Sequence, residues 1–93
     1  MSNTPSEEVL NASNDADLGA REIVLMFMDF YRSAEGIEDA TNYFTTAEII
    51  DFCLDIRPGI KVDYNLVFDA LEASGYNYGL ISDKSLRWLV IVK

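Results

Sequence analysis

The sequence predicts an α+β domain: a three-helix core closed by a C-terminal β-hairpin. Three observations carry this. Apolar residues recur at helical spacing over the first third of the chain. Two further helices are bracketed by strong caps. The last residues form two apolar, β-branched and aromatic runs around a turn-forming tetrad. At 93 residues there is room for one domain. A hydrophobic fraction of 49% with 12% aromatics is ample for its core.

Residues 1–17 (MSNTPSEEVLNASNDAD) are rich in Ser, Asn and acids, with Val9 and Leu10 as the only sizeable apolar groups. Such a segment buries too little surface to offset its ordering entropy, so it is expected to be a flexible acidic tail, with the domain occupying 18–93. The first helix is expected from Asp17, as N-cap, to Glu35, with Gly36 ending it. Ala20, Ile23, Val24, Phe27, Phe30, Tyr31 and Ala34 make its core face. Leu18, Leu25 and Met28 form a second apolar stripe on another side. A helix with apolar groups nearly all round is usually covered twice.

After a polar connection over 36–44, with a short strand expected at Tyr43–Phe44, Thr45-Thr46-Ala47-Glu48 has the spacing of a capping box. The second helix follows, with Ile49, Ile50, Phe52, Cys53, Leu54 and Ile56 as core, and Arg57-Pro58-Gly59 stops it. Asp63 is the expected N-cap of the third helix. Tyr64, Val67, Phe68, Ala70 and Leu71 form its buried side, and Gly75 is its C-terminal glycine. Strands are expected at Tyr76–Ile81 and Leu86–Val92 around Ser82-Asp83-Lys84-Ser85. With Asp83 and Lys84 at the tip, Ile81 pairs with Leu86 and Gly79 with Trp88. One face then carries Ile81, Leu86, Trp88 and Val90, and the other Tyr76, Tyr78, Leu80, Leu89 and Ile91.

From Tyr43 to Val92, the run FTTAEI, the R-P-G turn, LEASGY and the two-stranded ending resemble winged-helix domains. They are weakly similar to those at the C-termini of phage- and plasmid-type primase–helicases. The resemblance implies a three-helix core whose third helix enters the major groove of DNA while the hairpin, or wing, lies on the backbone. Here the third helix would present Asn65, Asp69 and Glu72 and lacks the Arg/Lys stripe of a DNA reader. The wing alone is basic, through Lys84, Arg87 and Lys93 against Asp83.

Sixteen acidic against seven basic side chains give a net charge of −9. That sign repels phosphate and anionic membranes at long range. No apolar run approaches the ~20 residues of a membrane span. The polar, acidic N-terminus is the reverse of a secretory signal, so the cytoplasm is the expected location. The chain has one cysteine and no histidine. Cys53 therefore lacks its usual activator and sits on an apolar helix face, where it is expected to be a core residue. Zinc sites of the usual kinds need more Cys and His than are present. Glu48, Asp51 and Asp55 form an acidic ridge on the second helix without concavity, expected to be a solvated face. No catalytic residue, metal site or cofactor is expected.

What remains is contact. The expected function is a small non-catalytic interaction module or regulator that binds another protein or a second copy of itself. The candidate surfaces are Leu18, Leu25 and Met28 on the first helix, and Tyr76, Tyr78, Leu80, Leu89 and Ile91 on the hairpin. Whether one of these covers the other inside the monomer stays open. The alternative is a regulator touching DNA through Lys84, Arg87 and Lys93.

Overall fold

The computed structural model describes residues 4–93, with side chains from residue 16 onward. It is an α+β fold of three helices and a four-stranded antiparallel sheet. Residues 1–3 of the expected tail, and the side chains of 4–15, lie outside the described residues.

Helix α1 spans Thr4–Met28. It thus runs through Asp17, the expected cap, and stops about two turns short of Glu35. Ala20, Ile23, Val24 and Phe27 are buried on one side of it, as their spacing predicts. At its end the amides of Asp29 and Phe30 bond back to the carbonyls of Met26 and Phe27, tightening the last turn. The chain then turns extended: strand β1 covers Tyr31–Ser33 and pairs with 90–92 of the last strand. Tyr31 and Ala34 still reach the interior, but from an edge strand and the residue that follows it rather than from a helix. Phe30, expected in the core, is 45% exposed.

Strand β2 (Asn42–Phe44) leads into helix α2 (Thr46–Ile56) through the predicted capping box. The Thr45 hydroxyl accepts from the Glu48 amide at 3.1 Å, and the Glu48 carboxylate accepts from the Thr45 amide at 2.9 Å. Ile49, Ile50 and Cys53 are buried, whereas Ile56, expected inside, is exposed beside the Arg57 cap. Helix α3 (Tyr64–Ala73) begins at Asp63, whose side chain accepts from the Leu66 amide, and leaves through Gly75 at φ +97°. Val67 and Leu71 are its buried residues; Tyr64, expected among them, is half exposed at the first turn.

Strands β3 (Asn77–Leu80) and β4 (Leu86–Val92) form the hairpin, one residue out of the expected register. Leu80 faces Leu86, Gly79 faces Arg87 and Tyr78 faces Trp88. The loop explains the shift. The Ile81 amide bonds the Ser85 carbonyl and the Lys84 amide bonds the Ile81 carbonyl, with Lys84 at φ 65°. This is a three-residue connection, a tight turn closed by one left-handed residue, rather than a symmetric tetrad. A slip of one residue exchanges faces. Tyr78 and Leu80 therefore lie on the same face as Trp88 and Leu86, and Leu89 and Ile91 on the other.

Strand β4 has partners along both edges. Trp88 is opposite both Phe44 and Tyr78, and Val90 opposite both Asn42 and Ser33. Strand β2 thus takes one edge, and β1 and β3 share the other end to end. The face of β4 carrying Trp88 and Val90 packs on the helices, both residues fully buried. Phe27 sits at the centre of that layer, with the rings of Tyr31, Phe44, Phe52 and Tyr76 at 5.0–6.3 Å. The opposite face is not bare. The β1–β2 connection folds over it, the Tyr43 hydroxyl donating to the Ile37 carbonyl at 2.9 Å, and Leu89 is only 4% exposed beneath.

Candidate functional site

The first-helix stripe is solvent-facing. Leu18 is 57% exposed, Leu25 64% and Met28 36%. No part of the hairpin covers them, because its helix-facing side is taken up by α3 and its other side by the β1–β2 connection. Leu25 stands as a ridge between two grooves. One, of about 330 Å³, runs between α1 and α3 and is lined by Arg21, Val24, Leu25, Met28, Ala70 and Ser74. The second, of about 320 Å³, lies toward the end of α2, lined by Glu22, Leu25, Met26, Asp29 and Arg57, and the Arg57–Glu22 ion pair crosses it. Arg21 and Asp29 stand one helical turn on either side of Leu25. Among the described residues neither has an ion-pair partner. These two charges carry no motif and were not singled out by the sequence; only their i±4 spacing around an exposed leucine marks them.

The five hairpin residues do not make one surface. Tyr76 is buried, its hydroxyl donating to the Tyr31 carbonyl at 2.7 Å, and burial pushes its pKa up to about 12. Leu89 is buried and Ile91 half-buried under the β1–β2 connection. Tyr78 and Leu80 remain exposed, on the α3 side. Leu86 pairs with Leu80 on that face, and the half-exposed Tyr64, expected on the buried side of α3, lies one turn before Phe68 on the same helix.

The wing cations are unequal. Lys84 is exposed at the tip and Lys93 lies beyond β4. Arg87, by contrast, is held in place. Its guanidinium lies 3.3 Å from Glu48 and 4.0 Å from Asp83, and donates to the Ser85 hydroxyl at 3.0 Å. Ser85 in turn donates to Asp83 from its hydroxyl and its amide, and these bonds hold the Asp83 carboxyl below its ordinary pKa. On α3, Asn65, Asp69 and Glu72 are exposed as expected, and Glu72 accepts from the Tyr78 hydroxyl at 3.4 Å.

Cys53 is buried with its thiol directed at the Ile23 carbonyl, 3.4 Å away. Desolvation raises its pKa to about 11, far from a thiolate nucleophile at neutral pH. Of the acidic ridge, Glu48 is committed to the capping box and Arg87, while Asp51 and Asp55 face solvent. Among the described residues no group of three or more carboxylate or thiol ligands converges on a metal position. No helix among them is long and apolar enough to cross a membrane. No family model, curated protein or solved structure gives a significant match to the chain.

Proposed function

We propose that this chain is a winged-helix-like, non-catalytic interaction module that pairs with a second copy of itself through the outer face of α1. The exposed Leu25 ridge beside an apolar groove is the observation that carries it. A two-fold contact must be self-complementary, each copy offering both the knob and the hole. Here the same face offers both: Leu25 stands beside the groove lined by Val24, Met28 and Ala70. Its charges are self-complementary too. Two α1 helices crossing antiparallel at Leu25 set Arg21 of one copy against the partner's Asp29, and the reverse. The winged-helix part is supported by the order helix, strand, helix, helix, hairpin and by β4 lying between β2 and β3. Strand β1 is an addition to that plan. Wing-led DNA contact is disfavoured by the pairing of Arg87 with Glu48 and Asp83 and by the acids on α3.

Sedimentation and light scattering test this directly. Wild type is expected to run as a dimer at high micromolar concentration, and Leu25→Asp with Met28→Asp as a folded monomer. Arg21→Asp and Asp29→Arg should each weaken the dimer, and the two together should restore it. A wild type that stays monomeric at millimolar concentration sinks the proposal. A shift of duplex DNA at low salt that is lost when Lys84 and Arg87 are neutralised would put the DNA reading in its place.

A further inference from the structure

We infer that the apolar surface where α3 meets the hairpin is a second docking surface, and that its occupant is a basic amphipathic segment of another protein. The packed base of this surface is aromatic. Phe68 of α3 lies 5.2 Å from Tyr78 and 4.9 Å from Trp88, and the last two are 5.0 Å apart. Apolar surface continues past this trio on both sides. On the hairpin, Leu80 and Leu86 form the next pair along the same face, 62% and 41% exposed. On the helix, Tyr64 lies one turn before Phe68 on the same stripe and is 51% exposed. Tyr78 itself is 39% exposed. Large apolar groups gathered in this way mark contact sites, and tyrosine suits them, burying area while its hydroxyl stays wet.

Charge selects the occupant. Helix α3 and its cap carry Asp63, Asp69 and Glu72 and no base; with Asp83 of the hairpin loop these outnumber Lys61 before the cap and Lys84 at the hairpin tip, and Glu72 is tied to the surface through the Tyr78 hydroxyl. A surface that is apolar at its centre and acidic at its edge repels phosphate. It fits a helix or extended segment with leucine-like side chains on one side and lysine or arginine on the other. This surface is separate from the Leu25 face of α1, so the two proposals stand or fall independently.

A short amphipathic Leu/Lys peptide serves as the probe, titrated into the intact protein and followed by amide chemical shifts and by calorimetry. Saturable binding is expected, with shifts confined to α3 and the hairpin and weakening as salt rises. Asp69→Lys with Glu72→Lys should reduce affinity roughly tenfold, equivalent to about 1.4 kcal/mol. Asp51→Lys with Asp55→Lys makes the same change of charge on α2 and should leave it nearly unchanged. Leu80→Ser, in an exposed side chain, should weaken binding without altering the fold, and it keeps the test valid if the α3 variant unfolds. The inference is overturned if the corresponding Leu/Glu peptide binds as well, if both charge variants lose affinity equally, or if the shifts fall on α1. Shifts on α3 and the hairpin produced instead by duplex DNA would overturn it as well.

Discussion

Thr46 is the one buried residue among those described that is neither apolar, aromatic nor cysteine, and Trp88 accounts for it. The indole N–H is a donor with no alternative role, and it donates to the Thr46 hydroxyl oxygen at 2.8 Å in the interior. Thr46→Val keeps the shape, removes the acceptor and strands the donor. It should cost about 1–3 kcal/mol in urea unfolding, and Thr46→Ser, which keeps the acceptor, should cost less. Cys53 and Tyr76 are linked to pH in a common direction. Burial raises both pKa values, from 9.0 to about 11 and from 10.0 to about 12, so the fold favours the neutral forms. Their contribution is therefore intact below pH 9 and is lost as pH rises through about 11 to 12. Stability should be insensitive to these groups at neutral pH and fall in alkali, with Cys53→Ala removing the first part of the fall. At neutral pH a thiol reagent should label Cys53 no faster than the protein opens. Rapid labelling of the folded protein would show that the thiol is not enclosed.

At the scale of elements, one close approach decides how α1 meets the α2–α3 connection. A Cβ placed on Gly19 would lie 1.8 Å from the Lys61 carbonyl oxygen and 2.9 Å from its carbon. Backbone, not a flexible side-chain end, blocks the space. On an exposed helix alanine would gain about 1 kcal/mol over glycine; here Gly19→Ala should lose about 1–3 kcal/mol, as overpacking does. Thermal melts check the sign, and a stabilised variant would mean the two segments stand apart. The same scale shows what was readable from the chain. The bounds of α2 and α3 were, because Thr45, Glu48, Asp63 and Gly75 act on amides and carbonyls a few residues away. The end of α1 was not. Phe30, Tyr31 and Ala34 continue a helical spacing, but Tyr31–Ser33 is claimed by pairing with 90–92, which no local pattern announces. The hairpin register failed for a related reason. A lysine at positive φ is uncommon, so nothing in Ser-Asp-Lys-Ser signals that Lys84 takes the left-handed place glycine usually holds. The slip then separated Tyr78 and Leu80 from Leu89 and Ile91, dissolving one expected surface and joining two of its members to Leu86 and Phe68.

For the molecule as a whole, the net charge of −9 sets the terms of any association. Two copies repel each other at long range, so a dimer through α1 must rest mainly on apolar burial, with the Arg21–Asp29 pairs fixing its orientation; salt screens the net repulsion of two −9 chains more than these two surface pairs and should strengthen the dimer. A basic segment on the α3–hairpin surface should respond in the opposite sense. If dimerisation stabilises the fold, the melting temperature should rise with protein concentration, and Leu25→Asp with Met28→Asp should abolish that dependence. The position of β4 has a further consequence, in the order of events by which the chain folds. Strands β1, β2 and β3 each pair only with β4, so the three-residue β1 and β2 have no partner until positions 31 and 92, and 42 and 90, are brought together. Closing loops of that length costs entropy before any ladder bond repays it. The helices and the β3–β4 hairpin can form from local signals, while β1 and β2 wait for β4 to reach them. Stopped-flow refolding should therefore show a rate that falls when a loop between β2 and β4 is lengthened by an insertion and changes little when a helix cap is weakened.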